Sequence, residues 1–283
     1  MKRTPVGLAM MLATAFAHAQ APAPPLAFDV ASIRPTPANP PVTTAGAAVP
    51  GGQWSPRNVT VLTIVARAFP EYVLPGLIVG GPAWVAERRF DIDARTDRPV
   101  TPDQYPQMIR QLLMDRFKLT THVETRPVDV YSLVVARSDG RLGPRLRPAS
   151  AECTKELEAA RELERARRAG PITALGPESK PCNVQVSMKS GMMRIVGGRS
   201  MSELAAALQQ WTESKVVDRT GLRGDYEAEL EFDFRGTFSA ANADPSKPSV
   251  FTAVQEQLGL RLQRSREPVD VLVIDAIEMP SEN

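Results

Sequence analysis

Histidine is nearly absent from this sequence: only His18 and His122 occur in 283 residues. His18 falls within an N-terminal stretch that reads as a leader, so His122 is left alone, which excludes a histidine-rich metal centre or a histidine dyad. Cysteine is equally sparse. Cys153 and Cys182 stand alone, with no CxxC spacing and no histidine beside them, so a zinc site is a poorer reading than a disulfide. No segment after the N-terminal region has the roughly 20 apolar residues that a membrane helix needs. Signature loops are missing as well: there is no GxSxG elbow, SxxK, HExxH, EF-hand loop, Walker loop or GxGxxG. No catalytic residues, metal or cofactor are therefore assigned. What remains, 43% hydrophobic and 23% charged, is the composition of a globular chain with one large domain or two ordinary ones.

Lys2 and Arg3 precede the apolar run Val6 to Phe16, and Ala17-His18-Ala19 offers small residues before a cut ahead of Gln20. Residues 1–19 thus read as a secretory signal peptide and 20–27 as a Pro/Ala linker, which implies a periplasmic or secreted protein. Removing Lys2 and Arg3 leaves 34 − 2 = 32 basic residues against 32 acidic ones. A balanced chain with interspersed signs offers no basic face for nucleic acid. In an oxidising compartment Cys153 and Cys182 are expected to pair, closing a loop of about 30 residues worth roughly 3 to 4 kcal/mol in chain entropy.

Periodicity supplies the elements. A strand is expected over Phe28 to Ile33. Asn58 is placed to cap a helix over Val59 to Phe69 with Val61, Ile64, Val65 and Ala68 inward. Arg89 to Arg95 alternates as a strand, Phe90, Ile92 and Ala94 facing in and Asp91 and Asp93 facing out. Thr101, Pro102 and Gln104 fit a capping box before a helix bearing Tyr105, Met108, Ile109, Leu112 and Leu113 on one face. Two strands are expected next, an amphipathic one over Phe117 to Glu124 and a more buried one over Val128 to Val135, making a hairpin at Arg126-Pro127. Lys155 to Arg168, KELEAARELERARR, reads as a solvated helix with Glu158 to Arg161 and Glu164 to Arg168 at ion-pair spacing. Gly80-Gly81-Pro82 and Gly197-Gly198 read as turns.

The second half replays the first. Met201, Leu204, Ala205 and Leu208 follow Val61, Ile64, Val65 and Ala68 at a shift of 140, and Pro268-Val269-Asp270-Val271 follows Pro127-Val128-Asp129-Val130 at 141. The expected fold is α+β: two similar helix-plus-β-hairpin lobes, 28–150 and 183–283, in a pseudo-two-fold repeat. Residues 151–182 form a charged helical insertion between them, clipped by the disulfide.

Three residues stand out as binding candidates. Trp84, after Gly80-Gly81-Pro82, is the aromatic best placed to be partly exposed; Asp91 belongs to an acidic strand face; His122 is the one histidine beyond the leader. Each has a plainer reading, as core filler, solvated strand face and surface histidine, and the rows Asp91/Asp93 and Glu227/Glu229/Glu231 lack the converging loop that calcium requires.

The stretches FDVASIRP, NVTVLTIVARAF, GGPAWVAERRFDIDAR, LLMDRFKLTTHVETRPVDVYSLVV, VVDRTGLRGDYEAELEF and VQEQLGLRLQRSREPVDVLVID, with the terminal Pro280 to Asn283, resemble a large family of secreted proteins of unknown function expanded in acidobacteria and other soil bacteria. The resemblance implies export and an α+β domain, and in some relatives a similar domain attached to BlaR-type membrane metallopeptidases. It transfers no catalytic residue; the Glu/Arg helix is this chain's departure. The function it suggests is an extracytoplasmic, non-catalytic binding or sensor-type module whose partner is an envelope protein or small ligand. The alternatives are a carboxylate-dependent hydrolase and a structural envelope protein pairing through edge strands.

Overall fold

The computed structural model describes residues 26–37, 43–44, 52–169, 182, 184–234 and 244–280. The expected signal peptide and all but the end of the linker lie outside these residues. β1 (Val30–Pro35) starts later than expected, burying Ile33 and leaving Val30 exposed. After the short strands β2 (Gln53–Trp54) and β3 (Val59–Thr60) comes α1 (Val61–Ala68). Its cap is Thr60, whose hydroxyl accepts the Thr63 N–H at 3.2 Å. Asn58 instead sits at φ 54° and gives its own N–H to Asp91. The inward face is the expected one, with Val61, Ile64, Val65 and Ala68 all buried.

β4 (Ile78–Gly80), α2 (Trp84–Glu87) and β5 (Arg89–Arg95) follow, and β5 buries Phe90, Ile92 and Ala94 in alternation. The Thr101/Gln104 capping box closes over a 3-10 turn, and α3 (Tyr105–Phe117) carries on from it with its apolar face buried. Next comes β6 (Thr120–Val135), a single strand of 16 residues that runs through Pro127. The expected hairpin at Arg126-Pro127 is therefore not made.

Beyond it lie β7 (Leu146–Pro148), α4 (Ala151–Ala169), β8 (Gln185–Lys189), β9 (Met192–Ser200), α5 (Met201–Thr212), β10 (Val216–Asp218), β11 (Asp225–Asp233), α6 (Val250–Leu258) and β12 (Leu260–Ala276). Ser200 and Glu203 form the capping box of α5. Gly197 and Gly198 are not a turn; they lie within β9, opposite Ala228 and Glu227.

The two long strands are each other's partners. β6 and β12 pair antiparallel from Leu260 opposite Val135 to Ala276 opposite Thr120, with Pro127 facing Pro268. Two prolines fit here because of the parity of the ladder. Tyr131 and Leu272 send their N–H groups outward, to Lys215 and Leu77. Pro127 and Pro268, each four residues earlier, face outward too, beyond the reach of the flanking strands, so the missing N–H forfeits no ladder bond. Those flanking strands pair in parallel: β10 with Tyr131 to Leu133, β4 with Leu272 to Ile274.

Two further sheets complete the described residues. In one, β1 and β2 flank β5, with β3 also on β5; the other runs β7-β11-β9-β8. The long ribbon joins the apolar cores. One core packs α1, α3 and β5 against Leu272, Ile274 and Ile277 from the end of the chain. The other packs α5, α6, β9 and β11 against Leu133 of β6 and Leu260 and Leu262 of β12. β12 thus reaches both cores and its partner β6 the second, and the fold is mixed α+β.

Candidate functional site

The three candidates from the sequence have separate surroundings. Trp84 opens α2 and is partly buried against the first core. Asp91 accepts from the Thr36 hydroxyl and the Asn58 N–H, both at 2.8 Å, and so ties β1 and the α1 entry to β5. His122 lies on the exposed side of β6 between two carboxylates, with Nδ1 2.7 Å from Asp275 and Nε2 3.3 Å from Glu124. Glu124 is itself held by Arg126. Asp275 first, then Glu124, raise the His122 pKa above its ordinary 6.5 by stabilising the imidazolium. With both ring nitrogens taken by carboxylates, no nitrogen is left to activate a nucleophile.

The polar groups that do converge lie elsewhere, where α4 crosses the sheet β7-β11-β9-β8. Cys153 of α4 is joined to Cys182, their Cα atoms 5.4 Å apart. The bridge rests on Gly198: a Cβ there would come within 2.7 Å of Cys153 Sγ and 2.9 Å of Leu157 Cδ1, so only glycine permits the approach. The Gly198 N–H also donates to the Cys182 carbonyl at 2.9 Å.

About two turns further along α4, Arg161 provides the second anchor. The expected pair with Glu158 on the same helix is not the one it makes. Its guanidinium reaches Glu203 at the start of α5, at 2.6 and 2.9 Å, and Asp225 at the start of β11, at 2.7 and 3.1 Å. The Asp225 side chain is only 7% exposed, so Arg161 supplies the charge that makes its burial tolerable. Arg161 and the Ser200 N–H together hold the Glu203 carboxyl down at about 2.

Held at these two points, α4 leaves a cleft on each flank. The first, about 350 Å³, is walled by Arg145, Arg147, Glu156, Val196 and Glu227. Arg147 clamps Glu227 at 2.5 and 3.0 Å and lowers its pKa. Glu156 Oε2 is buried in the cleft wall with no hydrogen-bond partner. The second cleft, about 600 Å³, is lined by Leu157, Ala160, Arg161, Arg165, Arg199 and Glu203. Arg199 is 6% exposed, and its Nε is buried without a partner. Burial pushes the Arg199 pKa down, the nearby Glu203 charge opposing it.

The one grouping of three metal-type ligands among the described residues is Cys153, Cys182 and Glu227, whose ligand atoms lie within 4.8 Å of one another. Their sulfurs are committed to the disulfide and the carboxylate to Arg147, which is not a set of free donors. No described helix is long and apolar enough to cross a membrane. Pattern in the sequence singles out neither Glu156 nor Arg199, and it gives Arg161 only a partner on its own helix; the available signal is an arginine immediately before the cap Ser200, where the first half has Val59 before Thr60.

No match is found among curated proteins or among solved structures. A model of the DUF3738 family, described as a protein of unknown function, matches residues 67–277, which include both long strands and the whole disulfide-clasped helix, and the chain belongs to that family.

Proposed function

We propose that the protein is an extracytoplasmic, non-catalytic binding module whose ligand contacts lie along the flanks of α4. The observation that carries this reading is the pair of unsatisfied polar atoms, Glu156 Oε2 in one cleft and Arg199 Nε in the other. A buried polar atom without a partner costs about 1–3 kcal/mol. A fold that keeps two of them beside one helix favours something that completes them. Export is supported by the leader-like N-terminus and by the disulfide, and the sensor role by the resemblance to domains attached to BlaR-type metallopeptidases.

The same proposal covers the architecture. We read 28–150 and 183–283 as two related lobes about a pseudo-two-fold axis, with 151–182 inserted between them. Support comes from the ladder: the shift of 141 carries Pro127 to Pro268, which face each other, and Tyr131–Leu133 to Leu272–Ile274, the segments that receive the flanking parallel strands. The insertion breaks that relation, which is why the ligand contacts are placed there.

The test is ligand-observed NMR with a mixed library of small organic acids, amines and peptides, comparing wild type with Glu156→Gln and Arg199→Met. Ligands lost in either variant support the reading. A wild-type protein that binds nothing in the library, and captures no envelope protein on crosslinking in the periplasm, refutes it.

A second reading has its own observation. β8 forms one end of its sheet among the described residues, and Val186 and Met188 on it are exposed. Pairing of that edge with another chain is the structural alternative. Substitution of Val186 by Lys would disperse any assembly seen by light scattering, and a monomer at high concentration would dismiss the reading.

A further inference from the structure

We propose that Arg199 and Arg165 form a binding site for a small monocarboxylate with an apolar body, seated in the 600 Å³ cleft beside α4. This deepens the proposed function and rests on it, naming the chemistry that one of the two flanks accepts.

The argument begins with Arg199. Its side chain is nine-tenths buried yet makes no hydrogen bond and no ion pair. A guanidinium carries five N–H donors, and the one on Nε is buried unused, which is costly. The nearest carboxylate does not serve it. Glu203 is filled by Arg161 and by the Ser200 N–H and hydroxyl. Asp225 is likewise held by two nitrogens of Arg161. Arg161 is fully engaged with both acids, and Arg199 is left over.

Packing does not require an arginine at this position. Arg199 stands directly before the cap Ser200 and pairs with Tyr226 across β9 and β11. Val59 stands directly before the cap Thr60 and pairs with Phe90 across β3 and β5. The same backbone setting in the first core takes a valine that is 3% exposed. An apolar residue therefore suits the site, and the guanidinium is in excess of what the fold needs.

The rest of the cleft suggests the ligand. Arg165, one turn beyond Arg161 on α4, lines it and is exposed. Leu157, Ala160 and Val184 give it an apolar wall. Arg161 is already taken up by Glu203 and Asp225, which leaves Arg199 as the one buried cation of the lining with no acid on it among the described residues. One negative charge balances it, whereas a dianionic phosphate overshoots. A planar carboxylate also matches the two-pronged geometry of a guanidinium. A volume of this size is within the range of small-molecule sites.

The test uses the full mature protein with hexanoate, hexanol and inorganic phosphate as probes, followed by titration calorimetry and amide NMR. Hexanoate should bind saturably and shift amides of β9 and α4. Hexanol should bind at least about tenfold more weakly, because a charge-assisted pair is lost. Arg199→Met should weaken hexanoate at least about tenfold while its Tm stays at or above wild type, since a partnerless buried charge has been removed. Arg165→Gln, at an exposed site, should weaken hexanoate without changing Tm.

A fall in Tm for Arg199→Met, or undiminished hexanoate binding by it, overturns the assignment. Phosphate binding more tightly than hexanoate overturns the monocarboxylate class. If hexanoate fails but the mixed library still yields ligands lost in Glu156→Gln, only this inference falls. If neither binds, the broader binding reading falls with it.

Discussion

Cutting the chain between its two halves should destroy the first core although every helix of that core is retained. A fragment covering residues 26–150 keeps α1, α3 and β5 but loses Leu272, Ile274 and Ile277, which lie 1%, 4% and 9% exposed in the intact protein. At about 1.5–3 kcal/mol for each buried aliphatic side chain, the loss is roughly 5–9 kcal/mol. Net stabilities are themselves only about 5–15 kcal/mol, so the fragment should retain little or none. β6 also loses its whole antiparallel partner, leaving its central row of N–H and C=O groups unpaired. The assay is urea titration followed by near-UV and far-UV circular dichroism. The expected result is a broad, non-cooperative change with no near-UV signal, and recovery of a cooperative transition on mixing with residues 151–283. A single cooperative transition from the fragment alone would refute the claim that the two cores depend on a shared ribbon.

Three further outcomes follow from the clasp and from the exposed histidine. Reduction of Cys153–Cys182 should lower stability by up to about 3–4 kcal/mol while amide protection in β6 and β12 persists, because Cys153, Leu157 and Cys182 form a cluster apart from both main cores; hydrogen exchange with and without reductant would read this. Gly198→Ala should cost about 1–3 kcal/mol by forcing Cys153 Sγ and Leu157 apart, and reduction should relieve part of that cost, which paired urea melts would measure. His122 has a folded pKa raised above 6.5, so its stabilising contribution is fully present below that value and is lost as pH rises through the raised pKa. The Tm gap between wild type and His122→Gln should therefore shrink as pH rises above 6.5, and a pH-independent gap would remove the charge pairing as its cause.

Helix faces were legible because a 3.6-residue period is written within one element. Val61, Ile64, Val65 and Ala68, and likewise Tyr105 to Leu113, needed no distant information to be placed inward. The Pro127 strand was not legible for the opposite reason. Proline breaks a strand only where its N–H would be needed, and whether a neighbour lies on that side depends on β10, about ninety residues away in sequence. Arg161 shows the same limit at the candidate site. Spacing pairs it with Glu158, whereas the folded chain offers Glu203 and Asp225, 42 and 64 residues distant, in a drier setting where a bidentate contact is worth more. Gly197-Gly198 reads locally as a turn, and its true role, letting a disulfide lie flat on β9, is set by a helix that sequence proximity does not reveal.

The way α4 is fastened bears on what it is for. A helix added to a sheet for stability alone would bury an apolar stripe against it, and α4 buries only Cys153 and Leu157 among its described side chains. Its hold on the sheet is instead one covalent bridge and one arginine shared by two acids. Both devices fix position without filling space, so clefts remain on both flanks. Apolar packing would have stabilised the helix more cheaply and closed those clefts. A wall held rigid before a ligand arrives also spares the ordering entropy that a loose segment would lose on binding. Rigid attachment, open flanks and unsatisfied buried polar atoms are difficult to account for as structural economy, and they are the observations on which the proposed binding along α4 rests.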